Sequence, residues 1–271
     1  MKKPMLSRIR TEAGAGGCTA FRRFACMLMP LVLLVACENG PQSVSVPAGS
    51  SEPPESAGIE IPLPQADQRL CTGVVILVDT SGSMNESVSA GGGATRPKHE
   101  LAREALAGIV EYTGEWKRKH PDRIVQLGMY SFSNTARPVL PMAEFDTGAV
   151  QQALSRIPSP NGGTAIGEAL AEGFKALYGS GCVRKYVLCI TDGENTAGRR
   201  PDQIAQQLHG QTNGEVELHF VAFDTSSANF TFLSKVNGHA VEAGDGPQLA
   251  ARLSDIYEKR ILAEEMPAER Q

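Results

Sequence analysis

The chain has 271 residues, 41% hydrophobic and 21% charged, with a formal net charge of −4. This suits one globular domain with extensions. The acidic balance excludes a nucleic-acid binder that works through phosphate contacts, and the one basic cluster, Glu115–Arg123 (EWKRKHPDR), reads as a solvated helix end.

The chain opens with Lys2, Lys3, Arg8, Arg10, Arg22 and Arg23, followed by the apolar run Phe24–Ala36 (FACMLMPLVLLVA). That run is too short to cross a bilayer as a helix, so residues 1–36 read as a signal peptide. The next motif, Leu34–Cys37 (LVAC), resembles the lipobox of bacterial lipoproteins, with an aliphatic residue at −3 and a small one at −1. The resemblance implies cleavage before Cys37, lipidation of Cys37 and a lipid-anchored place in the bacterial cell envelope. An ordinary secretory signal with an incidental Cys37 is the alternative. Glu38 stands where an aspartate would favour the inner membrane, so the outer membrane is expected; a Gram-positive envelope stays open. The leader holds six of the 26 basic residues and one of the 30 acidic ones. The remainder therefore holds 20 and 29, about −9, and would need its lipid rather than its charge to stay on an anionic membrane.

Residues 37–69 are rich in Pro, Ser, Glu and Gly and read as a disordered tether. The pattern then changes. Cys71 leads into TGVVILVD, a continuous apolar run expected of a strand covered on both faces. Pro97 to about Lys119 reads as a helix with Leu101, Ala105, Ile109 and Val110 on one face. A strand follows at 123–133, and a short one at 136–141 whose prolines place it at an edge. Next come a short helix near 150–157, the loop PSPNGGT, and a helix with Ile166, Leu170, Gly173, Phe174 and Leu177 inward. RKYVLCITDG is a further strand, 201–209 a helix, VELHFVAFD a strand, NFTFLSKV a short helix and HAVEA a last strand. Residues 248–262 form a closing helix with Leu249, Leu253, Ile256 and Ile261 inward. Strands alternating with helices predict an α/β fold: a doubly wound, mainly parallel sheet with helices on both faces. The domain spans 70–263, with a tail at 264–271.

In such sheets ligands bind at the carboxyl ends of the strands, where strand order reverses. Three motifs fall there: DTSGS with Asp79, Ser81 and Ser83; GGT with Thr164; and TDG with Asp192. Two carboxylates and three hydroxyls suit a hard divalent cation, Mg²⁺, Mn²⁺ or Ca²⁺. Zinc is not indicated: there is no CxxC pair, and the five histidines lack ligand spacing. Each motif alone has a plain structural reading. DTSGS could be a capped turn, Thr164 a helix cap and TDG an ordinary turn.

Together the motifs resemble those of the von Willebrand factor A domain family, with its metal-ion-dependent adhesion site of pattern D-x-S-x-S, a distant threonine and a distant aspartate. The resemblance covers roughly 70–263. It implies that Ser81 and Ser83 ligate the metal directly, that Asp79 and Asp192 lie close and often act through water, and that Thr164 ligates when a partner is engaged. It also implies the function: a non-enzymatic module gripping a protein partner whose Asp or Glu completes the cation's coordination. In the family's sheet the strands holding Cys71 and Cys182 are parallel neighbours. A Cys71–Cys182 disulfide is therefore expected at the metal-distal end, with Cys189 a buried free thiol. Family helices often start soon after the second serine. Here Met84–Arg96, with its flexible AGGGA run, intervenes beside the metal, either as a tolerated insertion or as a rim loop that selects the partner.

Two rival readings remain. DTSGSM also resembles the phosphorylated-aspartate motif of haloacid-dehalogenase-like phosphatases, and AGDGPQL their later acidic motif. However, Gln248 and Leu249 stand where Asn and Asp are expected, and GGT and TDG stay unexplained. The other rival is a scaffold whose metal site no longer functions.

Overall fold

A computed structural model describes residues 61–263. The expected leader, the expected lipidation site Cys37, most of the expected tether and the C-terminal tail lie outside the described residues. The strands are β1 (Arg69–Asp79), β2 (Ser87–Gly91), β3 (Ala94–Pro97), β4 (Ile124–Phe132), β5 (Ala136–Glu144), β6 (Cys182–Thr191), β7 (Val216–Phe223) and β8 (Gly238–Ala243). The helices are α1 (Lys98–Lys119), α2 (Thr147–Ser155), α3 (Ile166–Ser180), α4 (Pro201–Gln211) and α5 (Gly246–Ile256). A 3₁₀ turn spans Ser227–Lys235, and α5 runs on into a π-type turn at Tyr257–Ile261.

The main sheet has the order β5-β4-β1-β6-β7-β8. Every pairing is parallel except β4 with β5. From β1 the chain moves outward through β4 to β5, then returns to lay β6 on the other side of β1. Strand order thus reverses around β1, which places the ligand-binding crevice at the end of that strand. The edge strand β5 carries Pro138 and Pro141, whose missing N–H groups an edge tolerates.

The continuous apolar run of β1 has its reason in two separate cores. Val74, Ile76 and Val78 face one side and pack with Leu106 of α1, Val150 of α2 and Leu253 of α5. Val75 and Leu77 face the other and pack with Leu170 and Phe174 of α3 and Leu208 of α4. Period-two alternation sends neighbouring side chains to opposite faces, so a strand covered twice must be apolar throughout.

Two expectations are corrected. The tether does not extend to residue 69: Ile61 is buried in the second core with Leu63 against it. The Asp67 carbonyl also lies so close to Gly181 that a side chain there would collide with it. The Pro/Ser-rich composition hid these aliphatic residues. Within the inserted stretch 84–96, the residues from Ser87 on form an antiparallel hairpin, β2 with β3, so the AGGGA run is the turn of an ordered element and not slack chain. Val88 seats it on the first core, and its glycines occupy the turn, where Gly91, Gly92 and Gly93 all have positive φ. Cys71 and Cys182 form the expected disulfide, with Cα atoms 4.8 Å apart. Cys189 is free and buried, and burial pushes its thiol pKa up.

Candidate metal centre

The last residue of β1, Asp79, is fully buried. Its Oδ1 accepts the Ser81 amide N–H at 2.7 Å, turning the chain sharply, and its Oδ2 accepts the Thr191 hydroxyl at 2.6 Å. The Gly82–Asn85 3₁₀ turn then brings Ser83 back beside Ser81, with their hydroxyl oxygens 3.1 Å apart. Ser83 donates to Asp192 Oδ1 at 2.8 Å, closing a path from β1 to the end of β6.

Burial pushes the Asp79 carboxyl up to about 6, against the hydrogen bonds from Thr191 and Ser81; the nearby Asp192 charge adds a small upward push. A buried carboxylate whose partners are only hydroxyls and an amide invites a cation.

Thr164 joins by another route. The amides of Gly82 and Asn161 donate to the carbonyls of Gly162 and Thr80, which ties the GGT loop to the DTSGS turn. The Thr164 amide donates to Thr196 Oγ, and the Ile166 amide to Asn195 Oδ1. Asn134 Oδ1 accepts the Gly163 amide. Thr164 does not cap α3: the cap position is Ala165, and the first helical amide, that of Ile166, is met from outside by Asn195. Thr164 is itself buried as a residue, and its side chain stands outside the bonded path linking the other four residues.

The structure thus gathers all five predicted residues at one end of the sheet. Two carboxylates with three small hydroxyls fit a hard divalent cation by donor type.

Several residues here escaped the sequence reading. Thr191 anchors Asp79, while Asn134, Asn195 and Thr196 hold the GGT loop. The largest omission is Lys98, the first residue of α1. Its side chain is 3% exposed, and its ammonium lies 3.0 Å from each of Glu86 Oε2, Asp192 Oδ2 and Asp224 Oδ2. Burial opposes its charge, but the bonds from Asp224, Asp192 and Glu86 win and raise its pKa. Asp224 reaches it from a left-handed backbone, φ 54°, just after β7. One signal was available. A lysine in the first turn of a helix opposes the helix dipole and implies carboxylates nearby.

The von Willebrand factor type A domain model matches residues 73–255, so the chain belongs to that family. No curated protein sequence matches significantly. Among solved structures, the PilB minor pilin from Streptococcus sanguinis aligns with TM-score 0.58 and 14% identity, over 73% of this chain and 63% of the pilin. A von Willebrand factor type A protein from Catenulispora acidiphila aligns at 0.55 and 20%, over 69% of this chain and 42% of its own. Proximal thread matrix protein 1 from the mussel byssus, with a zinc-occupied MIDAS motif, aligns at 0.54 and 18%, over 70% and 46%. The chain therefore spans less than two thirds of each of these proteins, and at such identities the likeness is one of fold. No helix among the described residues is long and apolar enough to cross a membrane.

Proposed function

We propose that this domain is a metal-dependent protein-binding module. In this reading Ser81 and Ser83 hold a divalent cation, Mg²⁺ or Mn²⁺ before Ca²⁺, with Asp79 and Asp192 beside them. Thr164 joins when a partner is engaged. The bound cation supplies a position that an Asp or Glu of a protein partner completes. The observation that carries this is the bonded path Asp79–Ser81–Ser83–Asp192 at the strand-order reversal, with the loop that bears Thr164 tied to it through the backbone bonds of Gly82 and Asn161.

The chain's own residues organise the site beforehand. Neutral hydroxyls leave the cation's charge only partly quenched, so it keeps affinity for an incoming carboxylate. The Asn134, Asn195 and Thr196 bonds hold the Thr164 backbone, so little ordering entropy is spent on engagement. Lipidation of Cys37 would place the module in the cell envelope, toward the outer membrane. No catalytic step belongs to this reading.

Crosslinking in intact cells, with and without chelator, identifies partners lost with the metal. Calorimetry on Thr164→Ala is the sharper test. Only contacts that differ between free and engaged states shift their balance, so partner affinity should fall more than metal affinity. Partner binding that survives both chelator and Thr164→Ala leaves the domain as a scaffold.

A further inference from the structure

We propose that Lys98 determines which cation the centre takes: by reserving one oxygen of Asp192, it favours a small six-coordinate ion, Mg²⁺ or Mn²⁺, over Ca²⁺. This inference rests on the metal-binding reading above. An ammonium has three N–H donors and no more. Those of Lys98 meet three carboxylates, Glu86, Asp192 and Asp224, each at 3.0 Å. Glu86 and Asp192 accept hydrogen bonds and Asp224 completes the ion-pair cluster, so the side chain cannot swing away without stranding buried charge. The side chain of Asp192 is itself fully buried. Its two oxygens are therefore divided, with Oδ1 on Ser83 in the candidate cradle and Oδ2 on Lys98 behind it.

Coordination chemistry gives that division a consequence. Ca²⁺ takes six to eight oxygens and readily binds both oxygens of one carboxylate, whereas Mg²⁺ takes six in strict octahedral geometry and keeps several waters. An Asp192 limited to one oxygen serves the second habit and frustrates the first. The same ammonium holds Glu86, just before the hairpin, and Asp224, just after β7. Both are partly exposed, at 69% and 43%, and both would be further carboxylates for a larger ion once released. Lys98 sits in the first turn of α1, where the helix dipole disfavours it. Local helix preference therefore does not explain a buried lysine at this position, whereas the three carboxylates do.

Calorimetric titration of the purified chain with MgCl₂ and with CaCl₂ tests this, on wild type and on Lys98→Gln, with melting temperature as the second readout. Wild type should bind Mg²⁺ more tightly than Ca²⁺. Lys98→Gln should gain affinity for both ions, the gain for Ca²⁺ exceeding that for Mg²⁺ by about tenfold, and Ca²⁺ should become the ion that raises its melting temperature more. A folded Lys98→Gln with an unchanged Mg²⁺/Ca²⁺ ratio overturns the proposal, as does a wild type that prefers Ca²⁺. Should Lys98→Gln fail to fold, the double variant Glu86→Gln/Asp224→Asn keeps the Lys98–Asp192 contact and should keep the Mg²⁺ preference; losing that preference overturns the proposal. No binding of either ion to wild type removes the metal reading and this inference with it, whereas binding with the wrong selectivity removes only the inference.

Discussion

Thr191 on β6 donates its hydroxyl to Asp79 on β1 at 2.6 Å, and the next residue, Asp192, accepts from Ser83 of the turn that follows Asp79. Two consecutive residues at one strand end thus fix both sides of the neighbouring loop. A strand sends successive side chains to opposite faces, so both can bear on one loop only where the strand stops.

The pH dependence of the metal-free protein follows from Asp79. Its carboxyl ionises at about 6 in the fold against 3.8 in the unfolded chain. The folded state therefore holds the proton more tightly. The stability this contributes is fully present below pH 3.8 and is lost as pH rises through 6. The shift corresponds to about 3 kcal/mol at neutral pH. With chelator present, Asp79→Asn should raise stability at pH 7.5 by about 1–2 kcal/mol while removing metal binding, since its cost is charge burial more than repulsion from Asp192. Urea melts of both proteins at pH 5 and 7.5 check this, and the variant's gain should shrink at pH 5.

The disulfide closes a separation of 111 residues. In the chain-entropy account, opening such a loop costs on the order of 4 kcal/mol. Cys71→Ser/Cys182→Ser should lower the melting temperature by several degrees yet leave Mg²⁺ affinity unchanged, because the bridge joins the strand beginnings and the metal centre lies at their ends. Calorimetry of the double variant reads both.

Gly167 is not one of the five site residues, but a Cβ there would overlap the Arg199 carbonyl oxygen. The segment 195–199 presses on the start of α3, held by the paired bonds of Arg199 to Glu168 at 2.8 and 2.7 Å. Asn195 and Thr196 within it support the Thr164 loop. Gly167→Ala should cost about 1–3 kcal/mol through overpacking and also weaken partner affinity by displacing Thr164. Denaturant melts and partner titration separate the two effects. Lost stability with intact partner affinity would mean that the loop positions nothing.

The hairpin turn offers a backbone-only test. Gly92 and Gly93 have φ of 61° and 81°, and an added Cβ at either meets nothing within 4 Å. Alanine at each should therefore cost only the left-handed penalty, about 1 kcal/mol per site. Amide exchange at Val88 and Arg96 should quicken, with the melting temperature of the domain nearly unchanged.

The sequence was most legible where one physical rule acted alone. The run Val74–Val78 has the continuous apolar character expected of a strand buried on both faces, and the helical spacing of Leu101, Ala105 and Ile109 matched α1. Asp79, Ser81, Ser83 and Asp192 were legible because their motifs follow strand ends, whereas Thr164, in the loop before α3, was legible only through the resemblance to the family's pattern. The Cys71–Cys182 pairing followed from the strand order that the family resemblance implies. Less legible were features made by distant residues acting together. The Lys98 ammonium draws on three carboxylates from three loops, and its meaning exists only once β1, β6 and β7 lie side by side. The hairpin was masked by its own turn, since AGGGA looks like slack chain until Val88 is seen against the core. Ile61 and Leu63 were too few among prolines to register as core.

The disulfide and the candidate centre cap opposite ends of β1. If a partner grips the cation while the chain is held from its N-terminal side, tension runs lengthwise through this strand. β1 lies between β4 and β6, parallel to both, so its ladder bonds on either side are strained together in shear rather than peeled one after another. The Cys71–Cys182 bridge then passes part of the load covalently to β6, whose far end carries Asp192. The strand that orders the oxygens is thus also the tendon of the domain, with its attachment to the neighbouring strand at the end where the pull leaves.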